Sequence, residues 1–277
     1  MPEVDCVVNT WERSYHSVLQ PGFFYSIEES NDREFNKILL INNVNNITEV
    51  MKLADKMVSR AEISTYYLVE EKLPMALEIA GLELADLGRL PHYSDAPFVA
   101  ITLPGNDWVL YWDAEIELVN RYNWVDQSIQ FISGNVDILV ANPNWLPNTI
   151  RDEMLCEIDS FSLSYGFSDQ CFLLKRKNIQ QITWDDICPV SLRYPLAHIS
   201  TLFEQRIDAY MRRSKKLRAT FMHAMYSHKN EGLSYPMATS SEKARRLIYN
   251  FMLKALHYAP FSSPCYKVTP RHSGFHR

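Results

Sequence analysis

Through the first 140 residues, short and almost purely apolar runs alternate with segments of helical apolar spacing. This alternation restricts the chain to crossover units on a mainly parallel sheet, an α/β fold with helices on its faces. Val4 to Val8, Lys37 to Ile41, Ser64 to Val69, Trp108 to Trp112 and Val136 to Val140 read as strands. Between them, Tyr15 to Glu29 reads as one helix running through Pro21-Gly22, and Ile47 to Ala61 as a second with Val50, Leu53 and Met57 on its inner face. Leu73 to Ala85 and Ser94 to Leu103 complete the helical set, and an Asn- and Pro-rich loop is expected from Asn142 to Asn148. The run Trp108-Val109-Leu110-Tyr111-Trp112 has the continuous apolar character of a central strand buried on both faces. Such sheets bind ligands beyond the carboxyl ends of their strands. Asp113-Ala114-Glu115, which follows directly, is therefore expected at the mouth of a ligand crevice.

Glycine is scarce, 8 in 277 residues, against an average usage of about 7%. No G-x-G-x-x-G or G-x-x-x-x-G-K spacing occurs, which argues against Rossmann dinucleotide binding and P-loop chemistry. Cys6, Cys156, Cys171, Cys188 and Cys265 are odd in number, far apart and free of C-x-x-C spacing. Neither a disulfide framework nor a thiolate zinc site is expected, and a reducing cytoplasm is the expected compartment. No run approaches the ~18 apolar residues of a membrane span, and the first residues lack the basic-then-apolar order of a signal peptide. The net charge of -5 carries no basic excess, so no nucleic-acid partner is expected.

Near Tyr194 the character changes, and the chain is expected to divide into 1–193 and a mainly helical 194–277. Ile199 to Tyr226 reads as largely helical. Thr239-x-x-Glu242 is a capping box that opens a further helix. In that helix Leu247, Ile248, Phe251, Met252, Ala255 and Leu256 form one broad apolar face, expected to pack on the main body. From Pro264 onward the sequence reads as irregular.

In an extended segment alternate side chains point the same way, so Asp113 and Glu115 can reach one divalent ion. Hard cations such as Mn²⁺ or Mg²⁺ take one or two carboxylates together with substrate phosphates. A lone D-x-E is equally the pattern of a solvated strand end. Arg206, Arg212, Arg213, Lys215, Lys216 and Arg218 place six cations in thirteen residues. That cluster reads as a solvated face, as a clamp on a diphosphate or anionic acceptor, or as a peripheral membrane contact through 206–218. Trp145, in the Asn- and Pro-rich loop, is the aromatic residue expected near an acceptor.

Four stations resemble, in order, the nucleotide-sugar-dependent glycosyltransferases of the GT-A fold, the family 2 type in particular. Val7-Val8-Asn9-Thr10-Trp11-Glu12-Arg13 is similar to their opening V-V-x-T-Y-x-R, and Leu40-Ile41-Asn42-Asn43 stands where they carry V-V-D-D, with both acids replaced by amides. Trp108 to Glu115 resembles Y-x-L-x-L-D-x-D, and Gly166 to Leu174 resembles the later loop that places an acid near the acceptor. The resemblance covers about residues 4 to 180. It implies a Rossmann-like GT-A domain with a helical C-terminal extension, and transfer of a sugar from a nucleotide-diphosphate donor, such as a UDP-sugar, to a carbohydrate or other hydroxyl acceptor with inversion. It further implies that Asn9, Thr10, Glu12, Arg13 and Asn43 cradle the nucleoside. Asp113 and Glu115 would hold Mn²⁺ or Mg²⁺, joined by a C-terminal histidine, His228 in preference to His223, and Asp169 would serve as the base. The alternatives are a non-catalytic nucleotide- or sugar-binding homologue and a sugar-phosphate nucleotidyltransferase. Donor base, acceptor and oligomeric state are not encoded in these motifs.

Overall fold

The structure, a computed structural model, describes residues 1–146, 154–229 and 237–256. In chain order its strands are β1 (Val4–Thr10), β2 (Asn36–Ile41), β3 (Thr65–Leu68), β4 (Trp108–Asp113), β5 (Ile116–Leu118), β6 (Ile138–Trp145), β7 (Met154–Ile158), β8 (Phe161–Ser164), β9 (Cys171–Lys175) and β10 (Leu217–His228). The helices are α1 (Tyr15–Val18), α2 (Phe23–Asn31), α3 (Ile47–Ser59), α4 (Val69–Ala80), α5 (Asp95–Thr102), α6 (Trp124–Gly134), α7 (Arg176–Ile179), α8 (Phe203–Ser214) and α9 (Ser240–Ala255).

β4 lies in the middle of the sheet because all five of its apolar residues can be buried on one face or the other. Trp108 to Trp112 are each at most 3% exposed. The sheet runs in the order β3-β2-β1-β4-β9-β6-β10-β8-β7, with β5 paired to β10. β3, β2, β1 and β4 are mutually parallel, and β9 enters antiparallel between β4 and β6. Side-chain alternation then divides the core. Cys6, Val8, Leu110 and Trp112 face the layer that holds Val50 of α3 and Trp124 of α6. Val7, Val109 and Tyr111 face the layer of α4, α5 and α8, with Ala76, Phe98 and Phe203.

The expected strands and crossover helices are present, with four corrections. Tyr15 to Glu29 is two helices rather than one: Pro21 lacks an N–H and Gly22 takes a left-handed φ of 90°, so α2 starts anew at Phe23. The loop expected from Asn142 is strand through Trp145, parallel to β10. Pro143 is tolerated there because it pairs with Phe221 at a register shift, where a ladder donor is not required. Residues 147 and 148 lie outside the described residues. Helix in 199–226 is confined to α8, which Lys215 ends in a left-handed conformation, φ 58°. Leu217 to His228 is β10, in which Leu217, Ala219 and Phe221 are buried between half-buried neighbours. The segment beyond 193 therefore contributes a strand to the same sheet, between β6 and β8.

The fourth correction concerns α9. Its capping box forms as expected, with Thr239 Oγ1 accepting from the Glu242 N–H and Glu242 Oε2 from the Thr239 N–H at 2.7 Å. Its broad apolar face, however, is exposed rather than packed on the body. The helix docks through Leu253 and Glu242 on the other side, with Arg89 donating to both Glu242 carboxylate oxygens at 2.9 Å. Cys6, Cys156, Cys171 and Cys188 are free; Cys265 and the tail from Pro264 lie outside the described residues. Among the described residues, no helix is long and apolar enough to cross a membrane.

Candidate metal and acid site

The parallel pairing of β1 with β4 sets Asn9 level with Asp113, so two expected site residues share the carboxyl edge of the sheet. Asp113 then turns the chain: its Oδ1 accepts from the Glu115 N–H at 2.7 Å, and β5 departs to pair antiparallel with β10. In that pairing His228 stands opposite Ile116, and the Lys229 N–H donates to the Glu115 carbonyl at 2.7 Å. His228 Nε2 consequently lies 3.6 Å from Glu115 Oε2. One ligand atom from each of Asp113, Glu115 and His228 falls within 4.8 Å of the others. Two carboxylates and an imidazole at this spacing suit Mn²⁺ or Mg²⁺. His223 is elsewhere: it is exposed, stacked beside Tyr122 and edge-on to Phe221, and its carbonyl accepts from Asn120.

Asp169 stands in the loop just before β9, in the field of Asp113. The ladder between Trp112 and Cys171 is extended by the Asp113 N–H donating to the Gln170 carbonyl at 2.8 Å. Tyr226 of β10 donates to Gln170 Oε1 at 3.1 Å from behind. On the preceding side, the Tyr194 hydroxyl accepts from the Phe167 N–H at 2.8 Å and donates to the Phe167 carbonyl at 3.0 Å. The loop that carries Asp169 is thus pinned at both ends.

Asp113 and Asp169 are held with their charge at a disadvantage. Burial, and then the neighbouring Asp113, push Asp169 up to about 7. Burial and Glu115 push Asp113 up to about 6, against the hydrogen bond from the Glu115 N–H. Two further acids belong to the same region and were not singled out in the sequence. Asp95 is buried and raised to about 6 by burial, against the Asn42 side chain that donates to it at 2.8 Å. Glu204 is raised well above the ordinary range by burial and by Asp169, with Arg193 opposing. Both stand in the first turn of a helix, where an acid is already accounted for by the helix dipole. Nothing local marks them further.

These shifts have a defined thermodynamic sign. A carboxyl whose pKa is higher folded than unfolded binds more protons when folded, so stability rises as pH falls from the folded value toward the ordinary 3.8. With divalent ions chelated, the melting temperature is expected to increase from pH 8 to about pH 5, and Asp169→Asn should flatten the upper part of that rise. Differential scanning fluorimetry across this range checks it; a melting temperature that falls steadily with pH would contradict the assignment.

At the nucleoside end, Thr10 is buried with its Oγ1 3.2 Å from Ser14 Oγ, and its carbonyl accepts from the Asn42 N–H. Glu12 Oε2 accepts from the Asn45 N–H at 2.7 Å, which ties the β1 and β2 termini together. Asn43 adopts φ 47° and donates to Asn42 Oδ1 at 2.8 Å. Arg13 is exposed beside Trp11. Asn9 Oδ1 is buried with no hydrogen-bond partner among the described residues, a polar atom available to a ligand. Trp145 is 40% exposed at the end of β6.

The cation cluster is largely engaged within the chain. Arg206 donates to the carbonyls of Trp184 and Asp86, Arg212 to Asp208, Arg213 to Asp186, Lys216 to the Val136 carbonyl and Arg218 to Ser164. These contacts join α8 and β10 to their surroundings, while Lys215 and the Arg213 side chain stay exposed.

No family model matches the chain, and no curated protein matches it. Among solved structures it is similar to glucosyl-3-phosphoglycerate synthase from Mycobacterium tuberculosis in complex with Mn²⁺, uridine diphosphate and phosphoglyceric acid, at 12% identity, over 94% of this chain and 80% of that one, with TM-score 0.43. It is also similar to GalNAc-T7 with UDP, GalNAc and Mn²⁺, at 11% identity, over 92% of this chain and 48% of that one, with TM-score 0.47. A third is mouse xyloside xylosyltransferase 1, at 11% identity, over 77% of this chain and 82% of that one, with TM-score 0.43. At this level of similarity the chemistry has to be read from the side chains themselves.

Proposed function

We propose that the chain is a GT-A-type glycosyltransferase that moves a sugar from a nucleotide-diphosphate donor, such as a UDP-sugar, to an acceptor hydroxyl with inversion. The observation that carries this reading is the convergence of Asp113, Glu115 and His228 within 4.8 Å, beside Asp169, on the carboxyl edge of the sheet. Asp113, Glu115 and His228 would hold Mn²⁺ or Mg²⁺, which when bound supplies positive charge against a diphosphate. Asn9, Thr10, Glu12, Arg13 and Asn43, at the ends of β1 and β2, hold the nucleoside. Asp169 accepts the proton of the acceptor hydroxyl as its oxygen bonds to the anomeric carbon, and the bond from that carbon to the diphosphate breaks with its electron pair leaving on the diphosphate. A carboxyl raised to about 7 is matched to that task, because a base works best when its pKa is near the working pH. The part from about 194 onward closes the acceptor side, where α8 brings Glu204 into the field of Asp169.

A thermal-shift panel of nucleoside diphosphates and nucleotide-sugars, with and without Mn²⁺, tests the reading. A ligand at 100 times its Kd stabilises by about 2.7 kcal/mol, on the order of 5 °C for a chain of this size. The expected result is a shift that needs both nucleotide and Mn²⁺ and that Asp113→Ala abolishes. No shift with any nucleotide would overturn the proposal, and donor binding without consumption, unchanged by Asp169→Asn, would mark a binding module.

A further inference from the structure

The five large apolar side chains on one arc of α9, Leu247, Ile248, Phe251, Met252 and Leu256, stand in solvent, with Leu247 71% and Phe251 74% exposed. At 3.6 residues per turn they cover about half of the helix circumference, and Ala244 and Ala255 fall in the same arc. Glu242 and Leu253, the buried residues of the helix, lie on the opposite side, packed toward the 189–193 turn and Arg89. The helix is therefore already anchored, and its apolar arc is directed outward. Scattered apolar residues on a surface are ordinary, but a contiguous patch marks an interaction site.

Charge indicates what kind of site. Lys243 and Lys254 border one edge of the arc, and Arg245 stands at its other end between Met252 and Leu256, all three exposed. With Arg246, α9 carries four cations against one acid, Glu242, in a chain whose net charge is -5. An apolar arc bordered on both sides by Lys and Arg is the pattern of a helix that lies in the plane of a membrane interface, its apolar side chains among the upper acyl carbons and its cations among anionic headgroups.

We propose that α9 is a peripheral membrane anchor for anionic bilayers. Leu247, Ile248, Phe251, Met252 and Leu256 insert, and Lys243, Arg245 and Lys254 contact lipid phosphates. This inference is independent of the donor chemistry proposed above. Co-flotation of the full chain with phosphatidylglycerol-containing vesicles, compared with pure phosphatidylcholine vesicles, tests it. Binding to the anionic vesicles at low salt is expected, at least tenfold weaker with the neutral vesicles or in high salt, where headgroup attraction is screened. Leu247→Ser with Phe251→Ser should remove binding while leaving the melting temperature unchanged, since both side chains are exposed, and Lys243→Glu with Lys254→Glu should remove the preference for anionic lipid. Absence of binding to either vesicle, or equal binding to both, would overturn the proposal. So would a lipid-independent dimer that the Leu247→Ser and Phe251→Ser pair dissociates, which would assign the face to a second copy of the chain.

Discussion

Asp169→Asn is expected to lower transfer by about 10²- to 10⁴-fold, the usual contribution of a positioned general base, while leaving metal-dependent nucleotide binding at the wild-type level. At 1.36 kcal/mol for each factor of ten, this is about 3–5 kcal/mol of transition-state stabilisation. The separation follows from where the residue sits. Asp169 belongs to the loop before β9, while the nucleoside residues lie at or just beyond the ends of β1 and β2, and the metal ligands at the ends of β4 and β10 and in the turn between β4 and β5. Asparagine keeps the shape and cannot take the proton. It also removes a charge that burial and Asp113 already disfavour, so the variant should fold at least as well as the wild type. Single-turnover measurements of donor consumption beside a nucleotide titration check both halves, and near-normal transfer would remove Asp169 from the mechanism.

Asp208→Ala is expected to destabilise the protein by about 3–5 kcal/mol, the usual cost of removing one partner from a buried ion pair, and to lower the melting temperature by on the order of 10 °C. Asp208 is fully buried on α8. Its carboxylate accepts from Ser191 at 2.6 Å, from Arg193 at 2.6 Å and from Arg212 at 3.0 Å. Burial acts against its charge, but the two guanidinium groups outweigh that and hold it well below the ordinary carboxylate range. Alanine would leave both cations in place without that carboxylate. Because Arg193 adjoins Tyr194, whose hydroxyl pins Phe167 two residues before Asp169, transfer should fall along with stability. Asp208→Asn, which keeps an acceptor oxygen, should lose less of both. Urea melts of the two variants provide the comparison, and equal losses would show that the charge, which both variants remove, accounts for the whole effect and that the retained acceptor oxygen contributes nothing.

Both variants act through residues whose local sequence shows only part of their role. The strands β1, β2 and β4 are legible because a strand buried on both faces is apolar at most positions, and their carboxyl ends locate Asn9, Asn43 and Asp113 on one edge. Asp113-Ala114-Glu115 is legible as a pair for the same local reason, two residues apart on one strand end. The capping box at Thr239 is local as well, a reciprocal pair of hydrogen bonds within four residues, and it forms as read. In β10 the period-2 burial from Leu217 to Phe221 was present in the sequence, but the preceding cation-rich helix masked where it began.

What joins these pieces is set by pairing across long separations. His228 meets Glu115 because β5 and β10 are antiparallel neighbours, a register that no spacing within the chain encodes. Asp95 and Glu204 are ordinary first-turn helix acids until the sheet brings Asn42 against one and Asp169 into the field of the other. For α9 the sequence by itself determined that a helix forms and that one face is apolar. Only the tertiary structure decided that the opposite face is the one that docks, because an ion pair with Arg89 and a single buried leucine anchor the helix there. Local hydrogen bonding and hydrophobic periodicity are properties of neighbouring residues, whereas strand order, register and the choice of docking face depend on which distant surfaces are complementary once the chain has closed.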